Sequence, residues 1–334
     1  MTETVPVFRP RLMGQLDNLH ATLASSWWGT GPKVAAFEAE FAGYLGVEKT
    51  RCVMLNSCTA ALHLAVKLYP DAERFLVPAL TFISTAWAPQ YEGKQISFVE
   101  VGEDLCIDQD DALSKLRSPK DVVIAVHLGG HVAALDRLQQ ECRVIEDCAH
   151  ALGSYDGPDH VGQSAGCFSF QATKGLPIGD GGMLVLDTVS QRGRVEAWAW
   201  CGIGQSTWER SSTEYRWAYA IEDVGYKYRA NDVSAALALD QWSGVRSAVL
   251  ERHRIARIYT EELADLPWLE LPRPREGTQS NWQEYMVRTV HRDGLQKHLS
   301  ERGVATTVHY YPINLYPLWK RQELPFTEQV WRGY

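Results

Sequence analysis

The sequence contains no pair of cysteines in a C-x-x-C arrangement, although seven cysteines are scattered along its 334 residues. This spacing indicates neither a zinc site nor a disulfide framework, so we predict no metal site and expect reduced thiols. The amino terminus lacks the apolar core of a secretory signal, and no apolar run reaches the roughly 18 residues of a membrane span. We therefore expect a cytoplasmic protein with no membrane partner.

Dense basic runs are also missing, since 33 Lys and Arg stand against 41 Asp and Glu and the net charge is −8. A protein that follows nucleic-acid phosphates usually presents a basic face, so we expect no nucleic-acid partner. The sequence has neither a Walker A motif nor a clean G-x-G-x-x-G, which disfavours a mononucleotide- or dinucleotide-binding protein of those types.

Short apolar segments alternate with helical patterns over roughly the first 190 residues. Such runs are typical of strands buried on both faces of a parallel sheet, with helices in the crossovers. Strands are predicted at residues 51–55, 75–77, 97–101, 122–126, 144–145, 168–170 and 183–186. Helical patterns cover residues 33–45, 59–69, about 233–263 and 293–302. We predict an α/β fold with a large domain over residues 1–240, including an N-terminal arm, and a smaller α+β domain over residues 241–334.

Polar residues follow the predicted strand at 144–145, where VIEDCAHALG places Glu146, Asp147 and His150. Ligands of open parallel sheets bind beyond the carboxyl ends of the strands. Asp147 could equally cap a following helix, and the pattern alone does not separate these two interpretations.

A lysine lies in a second informative segment, GCFSFQATKGLPIGDGG, between a predicted strand and a glycine-rich turn. An isolated lysine is usually a solvated surface residue, but apolar neighbours here indicate a desolvated pocket. Burial favours the neutral amine that Schiff-base chemistry requires. Lys174 is therefore a candidate nucleophile, and the hydroxyl of Ser169 is a candidate anion contact.

A third segment, Asn56-Ser57-Cys58-Thr59, lies between a strand and a helix. Free amides at a helix N-terminus attract anions, although an ordinary cap by Ser57 or Thr59 is the competing interpretation. A phosphate site, an acid and a lysine together are the groups that bind pyridoxal phosphate.

Eight ordered blocks of the sequence resemble the DegT/DnrJ/EryC1/StrS aminotransferases, which are sugar aminotransferases of the aspartate-aminotransferase-like fold type I. The blocks are GTGPKVAAFEAEFAGYLGV, LNSCTAALHLAV, VPALTFISTAW, AVHLGGHVAALDRL, VIEDCAHALGS, FSFQATKGLPIGDGGM, GYKYRANDVSAALAL and VHYYPINLYPLW. They span nearly the whole chain. The resemblance implies a fold-type I large domain and a small C-terminal domain. Relatives continue further at the carboxyl end, so we expect this small domain to be shortened.

The resemblance implies roles for three catalytic residues. Lys174 matches the lysine that forms the Schiff base with pyridoxal 5′-phosphate and then moves the proton. Asp147 matches the acid that pairs with the pyridinium nitrogen, and His150 lies at the position beside the phenolic oxygen. The cofactor contacts that the resemblance implies are Cys58, Thr59, Phe82, Asp147, His150, Ser169, Lys174 and Lys227. Among these, Phe82 matches the aromatic residue that stacks on the ring.

Lys227 is a departure from the family pattern, because relatives usually have an asparagine there that touches the phosphate in the neighbouring subunit. A cation can serve the same anion. The resemblance therefore implies a homodimer in which each subunit completes the site of the other. The tryptophan-rich stretch 198–217 is predicted to lie either at this interface or in the core.

The implied reaction is a ping-pong transamination from glutamate or glutamine to a keto-sugar, typically nucleotide-linked, through pyridoxamine 5′-phosphate. Candidate substrate contacts are Trp28, Gly29, Thr30, Arg229, His309 and Tyr310, each of which also has an ordinary structural interpretation. The alternatives are a cyclitol aminotransferase, a sugar dehydratase or a non-catalytic regulator that binds the same cofactor. Family members that dehydrate sugars have histidine at the position of Lys174.

Overall fold

The computed structural model describes residues 4–204, 221, 223–319 and 321–333. The strands are β1 (Cys52–Leu55), β2 (Arg74–Pro78), β3 (Gln95–Val99), β4 (Val122–Val126), β5 (Arg143–Asp147), β6 (Tyr155–Asp156), β7 (Asp159–His160), β8 (Gly166–Ser169), β9 (Gly182–Val185) and β10 (Thr278–Gln279). The helices are α1 (Asp17–Ala24), α2 (Pro32–Leu45), α3 (Cys58–Lys67), α4 (Ser84–Tyr91), α5 (Gln109–Lys115), α6 (Leu138–Glu141), α7 (Arg192–Ala199), α8 (Asp232–Trp242), α9 (Val245–Leu263), α10 (Arg292–Glu301) and α11 (Pro325–Trp331).

Seven strands form the central sheet in the order β1-β9-β8-β5-β4-β2-β3. Every neighbouring pair from β8 to β3 is parallel, whereas β9 runs antiparallel to both β8 and β1. The residues of β1, β2 and β4 are all buried, as the continuous apolar runs of β1, of β4 and of residues 75–77 in β2 require. The mostly parallel α/β sheet predicted from the sequence is confirmed.

A second sheet, in the order β10-β6-β7, has strands of two residues each. Strands this short contain no apolar alternation, which explains why the sequence pattern did not predict them.

Helix α2 shows how local sequence fixes an element on the sheet. Pro32 occupies its first turn, where a missing N–H costs nothing, and Gly46 ends it in the left-handed region at φ 71°. Its fully buried Phe37 and Phe41 pack against the side chains of Phe170 and Trp242. This aromatic cluster covers one face of the sheet.

The helical pattern predicted over about 233–263 is divided in the structure, because α8 ends at Trp242 and α9 begins at Val245. The reason is a long-range contact. A Cβ on Gly244 would lie 2.3 Å from the Cβ of Met13, so the N-terminal segment packs against the break. The helical pattern itself carries no sign of this partner.

The predicted domain boundary between residues 240 and 241 falls inside helix α8. Beyond it, α10 matches the predicted helix at 293–302, and residues 305–310 lie outside the named strands. The division into two domains remains a prediction.

Trp198 of the tryptophan-rich stretch is buried in the core, whereas Trp208 and Trp217 lie outside the described residues. Within the described ranges, no helix combines the length and apolarity needed to cross a bilayer.

Candidate active site

Asp147 ends the central strand β5 and is only 4% exposed. Its Oδ2 accepts a hydrogen bond from the Thr85 hydroxyl at 2.8 Å, and its Oδ1 accepts one from the Ala149 amide at 3.1 Å. Burial raises the pKa of Asp147, while these two hydrogen bonds and the charge of Lys174 lower it. No helix follows β5 directly, since residues 148–154 contain only turns and irregular backbone. The helix-cap interpretation is therefore wrong.

Lys174 lies in a turn after β8, where its amide donates to the carbonyl of Gln171 at 2.8 Å. Burial lowers the pKa of its amine, and the charges of Asp147, Cys58 and Glu284 raise it. Asp147 ends β5 and Lys174 follows the neighbouring parallel strand β8, so both residues lie at the carboxyl end of the sheet, where their charges interact. Because the side chain is partly desolvated, the neutral amine needed for Schiff-base formation is easier to reach than for a surface lysine.

His150 is buried in the same site and accepts a hydrogen bond on Nδ1 from the amide of Gly129 at 3.1 Å. An accepting Nδ1 leaves the proton of the neutral ring on Nε2, which lies 3.5 Å from the Tyr310 hydroxyl. Burial and the charges of Lys174 and His309 lower the pKa of His150, so the ring is a neutral hydrogen-bond donor.

An exposed aromatic ring lies at the edge of this site. Phe82 is 56% exposed, and its ring centroid lies 6.0 Å from that of Tyr310. The ring of Tyr310 in turn lies 4.6 Å from His309 and 6.4 Å from His150. The structure therefore brings Phe82, His309 and Tyr310 together around His150.

The N-terminus of α3 forms a cradle of backbone amides beside the site. Ser57 caps the helix by accepting from the Ala60 amide at 3.1 Å. Among the described residues, the amides of Cys58 and Thr59 have no backbone partner. The Thr59 hydroxyl lies 2.9 Å from that of Ser84. Free amides and the helix dipole at this end suit a phosphate group.

Gly182 lets strand β9 approach this cradle. A Cβ at this position would lie 2.4 Å from the carbonyl carbon of Ser57 and 2.5 Å from the amide nitrogen of Cys58. Ser169 pairs with Gly182 across the sheet, and its side chain is buried there. The requirement for glycine therefore arises from the cradle itself.

The donor set fits pyridoxal phosphate. Amides and hydroxyls suit the phosphate, the amine of Lys174 suits the aldehyde, and the buried carboxylate of Asp147 suits the ring nitrogen. The neutral Nε2–H of His150 suits an anionic phenolic oxygen.

The remaining predicted residues lie elsewhere. Trp28, Gly29, Thr30, Lys227 and Arg229 line a separate cavity of about 440 Å³, whose lining includes neither Lys174 nor Asp147. The ammonium of Lys227 lies 3.2 Å from the centroid of the Trp200 ring. The structure thus divides the predicted site residues into two groups within one chain.

Two residues of the site were not predicted from the sequence. Thr85 donates a hydrogen bond to Asp147. The charge of Glu284 raises the pKa values of both Lys174 and Tyr310. Thr85 lies three positions after Phe82 in TFIST, one helical turn away, which is a signal that could have been used. Glu284 lies in a stretch without periodicity and reaches the site by a tertiary contact, its amide donating to the Gly129 carbonyl at 3.1 Å.

His127, Glu146 and Cys148 form a buried cluster next to the site. The ring of His127 uses Nε2 to reach Glu146 at 2.9 Å and Nδ1 to accept from the Ala133 amide at 3.1 Å. Both ring nitrogens are therefore engaged in hydrogen bonds.

Comparisons with known proteins agree with this chemistry. The sequence profile of the DegT/DnrJ/EryC1/StrS aminotransferase family matches residues 14–332. The spore coat polysaccharide biosynthesis protein SpsC of Bacillus subtilis is 31% identical over 326 residues, which cover 92% of this chain and 83% of SpsC.

Solved structures give the same result. The sugar aminotransferase CalS13 from Micromonospora echinospora is similar with a TM-score of 0.88 and 26% identity, over 98% of this chain and 92% of CalS13. The aminotransferase TlmJ from Streptoalloteichus hindustanus is similar with a TM-score of 0.88 and 29% identity, over 98% of this chain and 91% of TlmJ.

Proposed function

Because the chain belongs to the DegT/DnrJ/EryC1/StrS aminotransferase family and is a pyridoxal-phosphate-dependent transaminase of fold type I, we propose that it transfers an amino group from glutamate or glutamine to a nucleotide-linked keto-sugar. The observation that carries the proposal is the juxtaposition of Lys174, Asp147 and the amide cradle of α3 at one end of the sheet.

When bound, the cofactor supplies an aldehyde that exchanges amino groups and a ring that accepts electrons from the reacting carbon. The cradle amides of Cys58 and Thr59, with the hydroxyls of Thr59 and Ser169, hold its phosphate. Asp147 keeps a proton on the ring nitrogen, and the ring of Phe82 packs on the cofactor face. The Nε2–H of His150 donates a hydrogen bond to the phenolic oxygen.

Lys174 has two roles in this proposal. Its amine would first attach the cofactor. Partial burial of the side chain assists this attachment, because it lowers the pKa of the amine. As a free amine, Lys174 would then be the base that takes the proton from the α-carbon of the amino donor and the acid that gives it back. Overall, the amino donor would become a 2-oxo acid with one water consumed, and the keto-sugar would become an amino sugar with one water released.

We further propose that the cavity of about 440 Å³ contributes to the active site of the second subunit in a homodimer. His309 and Tyr310 lie close enough to His150 to contact a substrate in the same chain. Trp28, Gly29, Thr30, Lys227 and Arg229 line a different surface, so their contacts with cofactor and substrate require a neighbouring subunit. Lys227 then adds a positive charge to the phosphate site of that neighbour.

The test is a screen of nucleotide-linked 4-keto and 3-keto sugars with glutamate or glutamine, followed by mass spectrometry for the gain of an amine. We expect the purified protein to absorb above 300 nm through its lysine-bound cofactor and to lose that band when glutamate is added. Lys174→Ala abolishes the band and the product, whereas Lys49→Ala, which changes an exposed lysine, leaves both intact.

Four outcomes would contradict the proposal. A band that survives Lys174→Ala would remove Lys174 as the anchor. A band that no amino donor changes would support the regulator that the sequence left open. Amination of a cyclitol with no keto-sugar accepted, or loss of water from the sugar without amination, would assign the other enzyme alternatives.

A further inference from the structure

The two tyrosines on either side of Lys227 are held by His63, which is buried, and by Glu92, whose side chain is 18% exposed. The Nε2–H of His63 donates to Oε1 of Glu92 at 2.8 Å, and the Tyr226 hydroxyl donates to the same oxygen at 3.0 Å. The Tyr228 hydroxyl lies 3.1 Å from Nδ1 of His63. Because burial lowers the pKa of His63, its ring is neutral, so Nδ1 accepts from Tyr228.

Packing reinforces these hydrogen bonds. His63 is 3% exposed, and its ring centroid lies 4.7 Å from that of Tyr226. The rings of Tyr226 and Tyr228 are stacked at 5.0 Å with 11° between their planes. We call His63, Glu92, Tyr226 and Tyr228 the tyrosine clamp. Its hydroxyls, imidazole and carboxylate form hydrogen bonds with one another in a partly buried cluster, where leaving one of them without a partner would cost free energy.

Lys227 lies between the two clamped residues but points the other way. Extended backbone directs alternate side chains to opposite sides, so Tyr226 and Tyr228 face the core while Lys227 is exposed above Trp200. Its carbonyl accepts from the side-chain amide of Asn56 at 3.0 Å. The backbone position of Lys227 is therefore set by the hydrogen bonds of its two neighbouring tyrosines with His63 and Glu92, and by the hydrogen bond from the exposed Asn56.

The clamp joins this segment to α3, whose N-terminus forms the phosphate cradle, and to the end of α4. His63 lies on α3, whose first residues are Cys58 and Thr59, and Glu92 follows the last residue of α4. The amide of Asn56, just before the cradle, donates to the Tyr228 carbonyl at 2.7 Å. One chain thus fixes its own cradle and its outward-facing cation in a single framework.

We propose that His63 and Glu92 are positioning residues for Lys227, which fix where its ammonium meets the cofactor phosphate bound by the second subunit. The inference rests on the proposed function, in which Lys227 acts across a homodimer. It assigns the clamp an effect on the neighbour's site, and a purely structural contact would have no such effect.

The experiment uses mixed dimers, purified through two different affinity tags, in which one chain has Lys174→Ala. Only the other chain then gives the absorbance of lysine-bound cofactor, and its phosphate is met by Lys227 of the Lys174→Ala chain. Tyr226→Phe with Tyr228→Phe in that Lys174→Ala chain removes both clamp hydroxyls but keeps the rings. We expect cofactor affinity at the intact site to fall about tenfold, as loss of two partly buried hydrogen bonds suggests.

Tyr69→Phe is the matched control, because its hydroxyl also donates to a carboxylate, Asp187, at 2.6 Å and its ring packs on the same core. Placed in the Lys174→Ala chain, it should leave the affinity of the intact site unchanged. Adding Lys227→Ala to the same chain should abolish the effect of the clamp substitutions, because they act through that ammonium.

Two results would overturn the inference. One is a loss of affinity that appears only when the substitutions are in the chain with the intact Lys174, since the clamp would then act on its own cradle. The other is an undiminished effect in the Lys227→Ala background. A wild-type protein that is monomeric or binds no cofactor would refute the proposed function itself, and the premise of the inference with it.

Discussion

The acid of the site is held by a threonine from a distant part of the sequence. Thr85 donates to Asp147 and lies 2.9 Å from the hydroxyl of Thr81, so a short chain of hydroxyls runs behind the carboxylate. This hydrogen bond favours the ionised form of Asp147 against the opposing effect of burial. Asp147 itself could be predicted from its place after a strand. The position of Thr85 one helical turn after Phe82 indicates that it lies near the site, but its hydrogen bond to Asp147 could not be predicted, because α4 and β5 meet only in the folded protein.

Glu284 gives the lysine a second acidic neighbour. Its charge, like that of Asp147, raises the pKa of Lys174, whereas burial lowers it. At pH values where Glu284 is ionised, Glu284→Gln removes one raising influence, so the pKa of Lys174 falls and its amine is neutral at lower pH. We expect the rate at which the apoenzyme captures pyridoxal phosphate to reach half of its maximum at a lower pH than in the wild type.

The measurement is the pH dependence of that rate, followed by absorbance. Glu261→Gln is the control, since this glutamate is exposed on α9 and pairs loosely with Arg257 at 3.9 Å. A midpoint that moves to higher pH in Glu284→Gln would contradict the electrostatic argument.

At the scale of elements, one helix caps two others. Asp232 in the first turn of α8 accepts from the amides of Lys33 and Val34, at the start of α2. Asp240, two turns later, accepts from the amides of Asn18 and Leu19, at the start of α1. Both carboxylates satisfy free N–H groups of helix N-termini from outside the helix. The sequence predicted α2 and the helical pattern of α8, but these caps lie about 200 residues away from their partners.

The contact between β9 and α3 is a second feature of elements, and it yields a steric prediction. Gly182→Ala places a methyl group against the backbone of Ser57 and Cys58, which cannot move without displacing the cradle. We expect cofactor affinity to fall by at least tenfold and the free energy of unfolding to fall by about 1–3 kcal/mol, the usual cost of overpacking.

Gly193→Ala is the matched control for this change. Gly193 lies in α7 with nothing within 4 Å of an added Cβ, so alanine there should stabilise the helix by about 0.5–1 kcal/mol. Urea unfolding and cofactor titration measure both variants. Unchanged affinity in Gly182→Ala would show that the cradle does not depend on this approach.

At the scale of the whole molecule, the separation of Lys174 from Lys227 predicts complementation between inactive subunits. Lys174→Ala and Lys227→Ala homodimers each lack one part of every site. After dissociation and random reassembly, half of the dimers are mixed, and one of their two sites has both lysines. We expect about one quarter of wild-type activity at limiting cofactor. The measurement compares this mixture with unmixed stocks treated identically, and absence of recovery would place both lysines in one chain.

Much of the central sheet could be predicted from the sequence, because buried parallel strands have continuous apolar runs. The predicted 122–126 coincides with β4, and the predicted 97–101 is displaced by two residues from β3. The break at Gly244, the strand β10 and the segment containing Glu284 could not be predicted. Each depends on a partner distant in sequence, and local sequence propensity carries no information about such partners.

The order of the strands also determines which parts of the central sheet open first. Sheets open first at their edges, where backbone groups have a neighbour on one side only. β1 and β3 are the edges, and β5 is the fourth of seven strands. Fraying from either side must therefore cross three strands before it reaches the one that ends in Asp147. The amide protons of β5 should consequently exchange with solvent more slowly than those of β1 or β3.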